Sequence, residues 1–375
     1  MFKIFLPQGT QRIHKEHKVF GVVWYIIFLG LFCLFGRSTG SQGVAMRIGV
    51  LCSGGDSPGM NPCLRAVVRA AVSIEDEVLG IMHGYEGLMD EKFFIHSDGT
   101  MFMGLRSVSG LSNLGGTILH SSRSKRFMTP EGLQQAIAVL RKFHVDALIT
   151  IGGNGTQAGA FDLSKVWDGQ VIGIPATIDN DLLGTDATIG FATAVHTAVE
   201  AVDKLHDTAG SHDMMFFVEV MGRHCGDIAL KTAIASGCEI VCVPEIPTDI
   251  DAIIAHLQEI KHLGKTSVLG IVAEGDDFGG AVALQKKLVE TGHCPYDSRV
   301  VILGHIQRGG IPVPEDRVLA AVLGCSAVEA LHSGETGKLI GSINGKIVFS
   351  SFQDILGKHR CVDPHLLKLL KIVAS

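Results

Sequence analysis

The sequence predicts an α/β protein: two Rossmann-like lobes, each a mostly parallel sheet between helices, with the active site in the cleft between them. Three observations predict it. Short apolar runs recur along the chain without polar alternation, the pattern of strands covered on both faces. Glycine makes up 46 of the 375 residues and collects after apolar runs, where it suits sharp turns and close backbone approach. Segments with helical spacing and recognisable starts lie between the runs. Strand, glycine loop and helix in repeated alternation describe a doubly wound sheet.

The elements follow in order. "RIGVLC" (47–52) reads as the first strand and runs into "SGGDSPGMN". Asn61 and Pro62 then look like a helix cap and a first-turn proline, with Leu64, Val67, Val68 and Ala71 as the inward stripe. Thr129, Pro130 and Glu131 open a second helix, with Leu133, Ile137 and Leu140 inward. Further strands are "ALITIGG" (147–153), "VIGIPA" (171–176), "MMFFVEVMG" (214–222), "EIVCVPE" (239–245), "SVLGIVAEG" (267–275) and "RVVILGH" (299–305). Cys238 and Cys242 fall in or beside one of these runs and are expected in the core.

Composition narrows the partners. With 46% hydrophobic residues the chain can bury a large core, and a formal charge of -6 without Lys/Arg blocks argues against nucleic-acid binding. Nine cysteines without a Cys-x-x-Cys pair suggest neither a disulfide framework nor a zinc site. The N-terminus stands apart: residues 19–36, "VFGVVWYIIFLGLFCLFG", follow Lys3, Arg12, Lys15 and Lys18. Such a run can span a bilayer as an anchor. Met46 immediately before the first strand offers the other reading, a mis-called start that leaves residues 1–45 untranslated. Membrane contact is expected only if residues 19–36 are retained; otherwise the chain is expected in the cytoplasm.

Ligands of open parallel sheets bind beyond the carboxyl ends of the strands. Here those ends carry "SGGDSPGMN", "GGNGT" (152–156), "ATIDND" (176–181), "MGR" (221–223), "AEG" (273–275) and "GHIQRGG" (304–310). Glycine loops entering helices suit phosphates, although neither loop is a G-x-x-x-x-G-K-[ST] or a G-x-G-x-x-G fingerprint. Asp179 and Asp181, two apart at a strand end, can share one pocket. Arg123, Arg223, Arg299 and Arg308 supply guanidinium forks for phosphate, and His305 adds a donor. Phosphoryl transfer needs this combination of clamp, metal holder and proton acceptor. Asp186, beyond the turn at Gly184, is expected to fix the loop and helix start.

In this order and spacing, "IGVLCSGGDSPGMN", "IGGNGT", "PATIDND", "GTDATIGF", "VEVMGRHCGD" and "LGHIQRGGIPVPEDR" resemble the phosphofructokinase family from Met46 to roughly Phe352. The resemblance implies ATP- and Mg²⁺-dependent phosphorylation of fructose 6-phosphate by a homotetramer of two-lobed subunits. It implies a nucleotide-binding lobe of residues 46–190 plus 303–352 and a sugar-phosphate-binding lobe of residues 191–302 plus 353–375. By motif, Asp179 would be the general base, with Thr177 and Arg223 beside it in catalysis. Gly55, Arg123, Gly153, Asn154, Gly155 and Thr156 would hold the nucleotide, and Asn154 and Asp181 the metal. Thr177, Asp179, Asp181, Met221, Gly222, Arg223, Glu274, His305 and Arg308 would bind the sugar phosphate, with Arg299 reaching in from a neighbouring subunit.

Some relatives use diphosphate as donor and resemble an aspartate at Gly155 and a lysine at Ala176; the small residues here favour ATP. Two positions depart from the family. Asn154 stands where an aspartate is usual, and Met214 where an arginine reaches a neighbour's sugar phosphate. They leave open a catalytically weak regulatory paralogue beside the enzyme. Arg65, Arg69, Glu239 and Lys265 match part of an allosteric effector site, while His206 replaces an arginine.

Overall fold

The computed structural model describes residues 45–358, 360 and 362–373. The expected anchor at residues 19–36, and the segment preceding Met46 apart from Ala45, lie outside the described residues. In chain order the strands are β1 (Arg47–Ser53), β2 (Glu77–Ile81), β3 (Ala147–Gly152), β4 (Gln170–Pro175), β5 (Met215–Val220), β6 (Ile240–Cys242), β7 (Val268–Ala273), β8 (Ser298–Ile302), β9 (Lys338–Ile343) and β10 (Lys346–Ser351). They form two sheets, in the orders β10-β9-β4-β3-β1-β2 and β6-β7-β5-β8. Every pairing is parallel except the β9–β10 hairpin. The expected α/β architecture is present.

The helices are α1 (Met60–Ser73), α2 (Gly84–Met89), α3 (Pro130–Lys142), α4 (Asn154–Ser164), α5 (Phe191–His212), α6 (Asp227–Ser236), α7 (Ile250–His262), α8 (Ala281–Thr291), α9 (Pro314–His332), α10 (Phe352–Ile355) and α11 (Pro364–Val373). α3 begins as its sequence predicts: Thr129 Oγ1 accepts from the Gly132 N–H at 3.1 Å, with Pro130 in the first turn. α1 does not. Its cap is Gly59, at φ 114°, and Asn61 lies inside the helix. The Asn61 amide serves a loop instead: its nitrogen donates to the carbonyl of Gly115 at 2.9 Å and its oxygen accepts from the Ile118 N–H at 2.8 Å.

Both faces of the first sheet are packed. Ile48, Val50, Ile149 and Ile174 meet α1 and α9 on one side, while Leu51, Leu148 and Val171 meet α3 and α4 on the other. Each such side chain contributes about 1.5–3 kcal/mol by leaving water, which is why these runs lack alternation. The second sheet is likewise covered through Val218 and Ile271 on one face and Met215, Phe217 and Val272 on the other. Cys238 and Cys242 are buried as expected, and burial pushes both thiols up to about 12.

Three details depart from the sequence reading. β8 is an edge strand with partly exposed residues, although its run looked fully covered. β2 and the β9–β10 hairpin carry no run that stood out. The hairpin turns at Asn344 and Gly345, both at positive φ (51° and 73°), the signature of a type I′ turn. The chain crosses from one core to the other near its end: Phe352 and Ile355 pack with the first sheet, whereas Val362 and Leu370 pack with the second.

Candidate active site

In the first sheet, β2 lies on one side of β1 and β3 on the other, so the loops after β1 and β3 part and leave a crevice at their carboxyl ends. Backbone geometry explains their glycines. A Cβ on Gly55 would come within 2.6 Å of Arg308 Nη1, and one on Gly152 within 2.6 Å of the Ser53 carbonyl. α4 starts at Asn154 with no side chain capping it and no acid in its first turn. Its first N–H groups and the positive end of its dipole are left for an anion. The turn is braced from behind: Thr156 Oγ1 donates to the Ser53 carbonyl at 2.8 Å, and Tyr85 Oη to the Thr156 carbonyl at 2.7 Å.

The acidic loop follows β4. Asp179 is 2% exposed, yet its Oδ1 has no hydrogen-bond partner, and neither has the buried Oδ1 of Asp181. Burial raises the Asp179 carboxyl above its ordinary value, and the neighbouring Asp181 adds to this; Arg223 and Arg308 pull it back. Arg223 Nε stands 3.4 Å from Asp179 Oδ2. Arg223 comes from a tight turn after β5, with Gly222 at φ 138° and Arg223 itself at φ 52°. Two buried or half-buried side chains hold that turn: Gln307 Oε1 accepts from the Met221 N–H at 2.9 Å, and Glu274 Oε1 from the Arg223 N–H at 3.1 Å.

These parts enclose a cleft of about 370 Å³. Gly55, Arg123, Gly153, Asn154, Gly155, Thr156, Thr177, Asp179, Asp181, Arg223 and Arg308 all line it. Met221, Gly222 and Glu274 shape the turn that presents Arg223 rather than the wall itself. His305 is exposed on a short 3₁₀ turn, Gly304–Arg308.

Arg299 lies at the other end of the second sheet. In register with Phe216, near the amino end of β5, it is separated from Arg223 by a strand length of roughly 20 Å. Met214 precedes β5 at that same end. Neither position serves this chain's own Asp179. The effector candidates stay apart as well. Arg65 and Arg69 are on α1, while Glu239 is buried against the second sheet, where it pairs with Lys265 and accepts from the Leu269 N–H. Lys265 is thus engaged within the fold.

Three further positions in these loops differ in what they do. Ala176 is fully buried in the first core and is not on the cleft wall. Gly155 does line the cleft, and a Cβ at that position would meet nothing within 4 Å. Asp186 fixes its loop, but to the β9–β10 turn rather than to a helix start: its carboxylate accepts from the Asn344 N–H at 2.6 Å. Sequence reasoning missed Tyr85, Lys125, Phe127, Met128 and Asp162 on the wall. The stack of Tyr85 on Phe127, with centroids 4.0 Å apart, joins segments distant in sequence, and no local pattern announces it.

Comparisons agree with this geometry. The phosphofructokinase family model matches residues 47–331. The chain is 45% identical over 328 residues to ATP-dependent 6-phosphofructokinase 1 of Thermus thermophilus, covering 88% of this chain and 99% of that protein. It is 45% identical over 324 residues to ATP-dependent 6-phosphofructokinase of Paenibacillus macquariensis, covering 86% and 97%. Among solved structures, Pichia pastoris phosphofructokinase superposes with a TM-score of 0.77 at 31% identity, over 90% of this chain and 38% of that one. The pyrophosphate-dependent phosphofructokinase of Marinobacter aquaeolei, at 23% identity and a TM-score of 0.74 over 85% and 86% of the two chains, shares the fold. By sequence and by structure, the chain belongs to the phosphofructokinase family.

Proposed function

We propose that this chain transfers the γ-phosphoryl group of ATP to the 1-hydroxyl of fructose 6-phosphate, giving fructose 1,6-bisphosphate and ADP. The observation that carries this reading is Asp179: a buried carboxylate with an unpartnered oxygen, on the wall of a cleft that an uncapped helix start also lines. Asp179 takes the hydroxyl proton as the sugar oxygen forms its bond to phosphorus. The bond from phosphorus to the β–γ bridging oxygen breaks, and ADP leaves with that electron pair. The raised carboxyl makes Asp179 a stronger proton acceptor than an ordinary aspartate. Arg223 and Arg308 offset the negative charge gathered around the transferred group, and the first turn of α4, Gly55 and Arg123 hold the donor's phosphates.

Asp181, with its orphaned buried oxygen, and the Asn154 amide fit Mg²⁺, an ion that takes one or two protein oxygens plus substrate phosphates. When bound, it neutralises phosphate charge. ATP is favoured over diphosphate because the space at Gly155 admits a nucleotide, as in the relatives named ATP-dependent. We place the nucleotide on the first sheet and the sugar phosphate toward the second, with Arg299 completing a neighbour's site in a homotetramer in the cytoplasm. Regulation by a bound effector at Arg65 and Arg69 belongs to the same proposal.

A coupled assay of the full chain with fructose 6-phosphate tests it. Turnover with ATP and not with diphosphate is the expected result. Turnover with diphosphate alone selects the other donor. No turnover with either, in a folded protein, selects a regulatory paralogue, the reading that Asn154 and Met214 motivate.

A further inference from the structure

The residue between the two acids has its own task. Asn180 is fully buried and holds φ at 51°, a left-handed turn that asparagine accepts more readily than most residues. Its Oδ1 accepts from the Thr188 N–H at 3.0 Å, within the same loop. Its Nδ2 donates to Asp227 Oδ2 at 2.8 Å. Asp227 belongs to the other sheet's layer: it opens α6, directly after the turn that carries Arg223, and is 2% exposed. One amide therefore ties the loop bearing Asp179 to the helix behind Arg223.

A third group closes the ring. Arg360 lies where the chain crosses from the first core to the second. Its Nη1 donates to the carbonyls of Thr185 at 2.9 Å and Asp186 at 2.6 Å, and its Nε stands 3.7 Å from Asp227 Oδ2. The C-terminal segment thus supplies the cation for a buried carboxylate and grips the far side of the acidic loop. A buried charge left without its partner is costly, so Asp227 holds Arg360 in place and Arg360 makes Asp227 tolerable.

We propose that Asn180, Asp227 and Arg360 form a clasp that sets the position of Asp179 against Arg223, with Arg360 as a positioning residue contributed by the C-terminal segment. The proposal rests on Asp179 being the base. Displacements near 1 Å at a reacting group can cost up to about 100-fold in rate. Loss of the clasp therefore appears in kcat, whereas the ATP site, built from other loops, is spared.

The test uses the full chain and steady-state kinetics with each substrate varied in turn. Arg360→Met is expected to lower kcat about tenfold with the KM for ATP within about twofold. Arg360→Lys keeps a cation and recovers part of the loss. In the pair Arg360→Met with Asp227→Asn, the kcat losses do not multiply, because the residues act as a unit. If Arg360→Met does not fold, Arg360→Lys carries the same comparison of kcat with KM. An unchanged kcat, a loss of kcat matched by an equal rise in the KM for ATP, or multiplying losses each overturn the clasp. Asp179→Asn run in parallel separates the two claims: full activity there defeats the base, whereas inactivity there with an unaffected Arg360→Met defeats only the clasp.

Discussion

Asp179 and Asp316 are two aspartates equally removed from water, 2% and 1% exposed, and burial raises both carboxyls above the ordinary value of 3.8. Their surroundings differ. Asp316, at the start of α9, accepts from the N–H of Gly190 at 2.8 Å, the N–H of Thr193 at 2.7 Å and the Thr193 hydroxyl at 2.5 Å, so it caps α5 from outside. Asp179 leaves one oxygen open, next to Asp181, which does the same. Buried polar atoms normally find partners because an orphan costs about 1–3 kcal/mol. A satisfied acid explains itself within the fold; two open acids in a cleft point to groups that arrive with the substrates.

Substitutions can break that contrast. Asp179→Asn aside, the largest effect is expected for Asp181→Asn: kcat falls about 100-fold and the Mg²⁺ requirement rises, while the thermal midpoint stays in place, since no hydrogen bond inside the protein is lost at Oδ1. A Mg²⁺ titration of the rate together with a melting curve reads both. Asp316→Ala should do the reverse, losing about 2–3 kcal/mol of stability in a denaturant titration with kcat per folded molecule retained. Met214→Arg restores a charge at the amino end of β5 and should lower the KM for fructose 6-phosphate about tenfold, a charge-assisted bond being worth about 1.5–3 kcal/mol; an unchanged KM removes that site from sugar-phosphate binding. Asn154→Asp adds a fourth acid to the cleft wall and should lower the Mg²⁺ needed for half-maximal rate by about threefold.

Much of the fold was legible because it rests on local signals. Continuous apolar runs gave most of the parallel strands, and Thr129–Pro130 gave the start of α3. The hairpin was passed over because its strands are half-exposed edges, despite the Asn344–Gly345 turn. Asn61 misled because capping depends on where the helix begins, and Gly59 settles that with a conformation that sequence does not display. In the site, the clustered loops pointed to Asp179, Gly55 and Arg308. The partners that matter next, Asp227 and Arg360 on Asn180 and Gln307 on Met221, are long-range pairings that only packing of the two sheets creates. Ala176 read as a donor determinant, yet it lies in the core and off the cleft wall.

The central claim is that Asp179 ionises to accept the substrate proton. A carboxyl raised by burial holds its proton to higher pH, so activity is lost as pH falls through that raised value; any stability it contributes is present at low pH and fades as pH rises through it. The rate of the phosphoryl-transfer step, followed in a single turnover with saturating ATP and fructose 6-phosphate across pH, measures this directly. The account predicts an acid limb above the ordinary aspartate value, and for Asp179→Asn a rate lower by about 100-fold or more with that limb gone. An Asp179→Asn enzyme within a few-fold of the unaltered chain, with its limb intact, would contradict it.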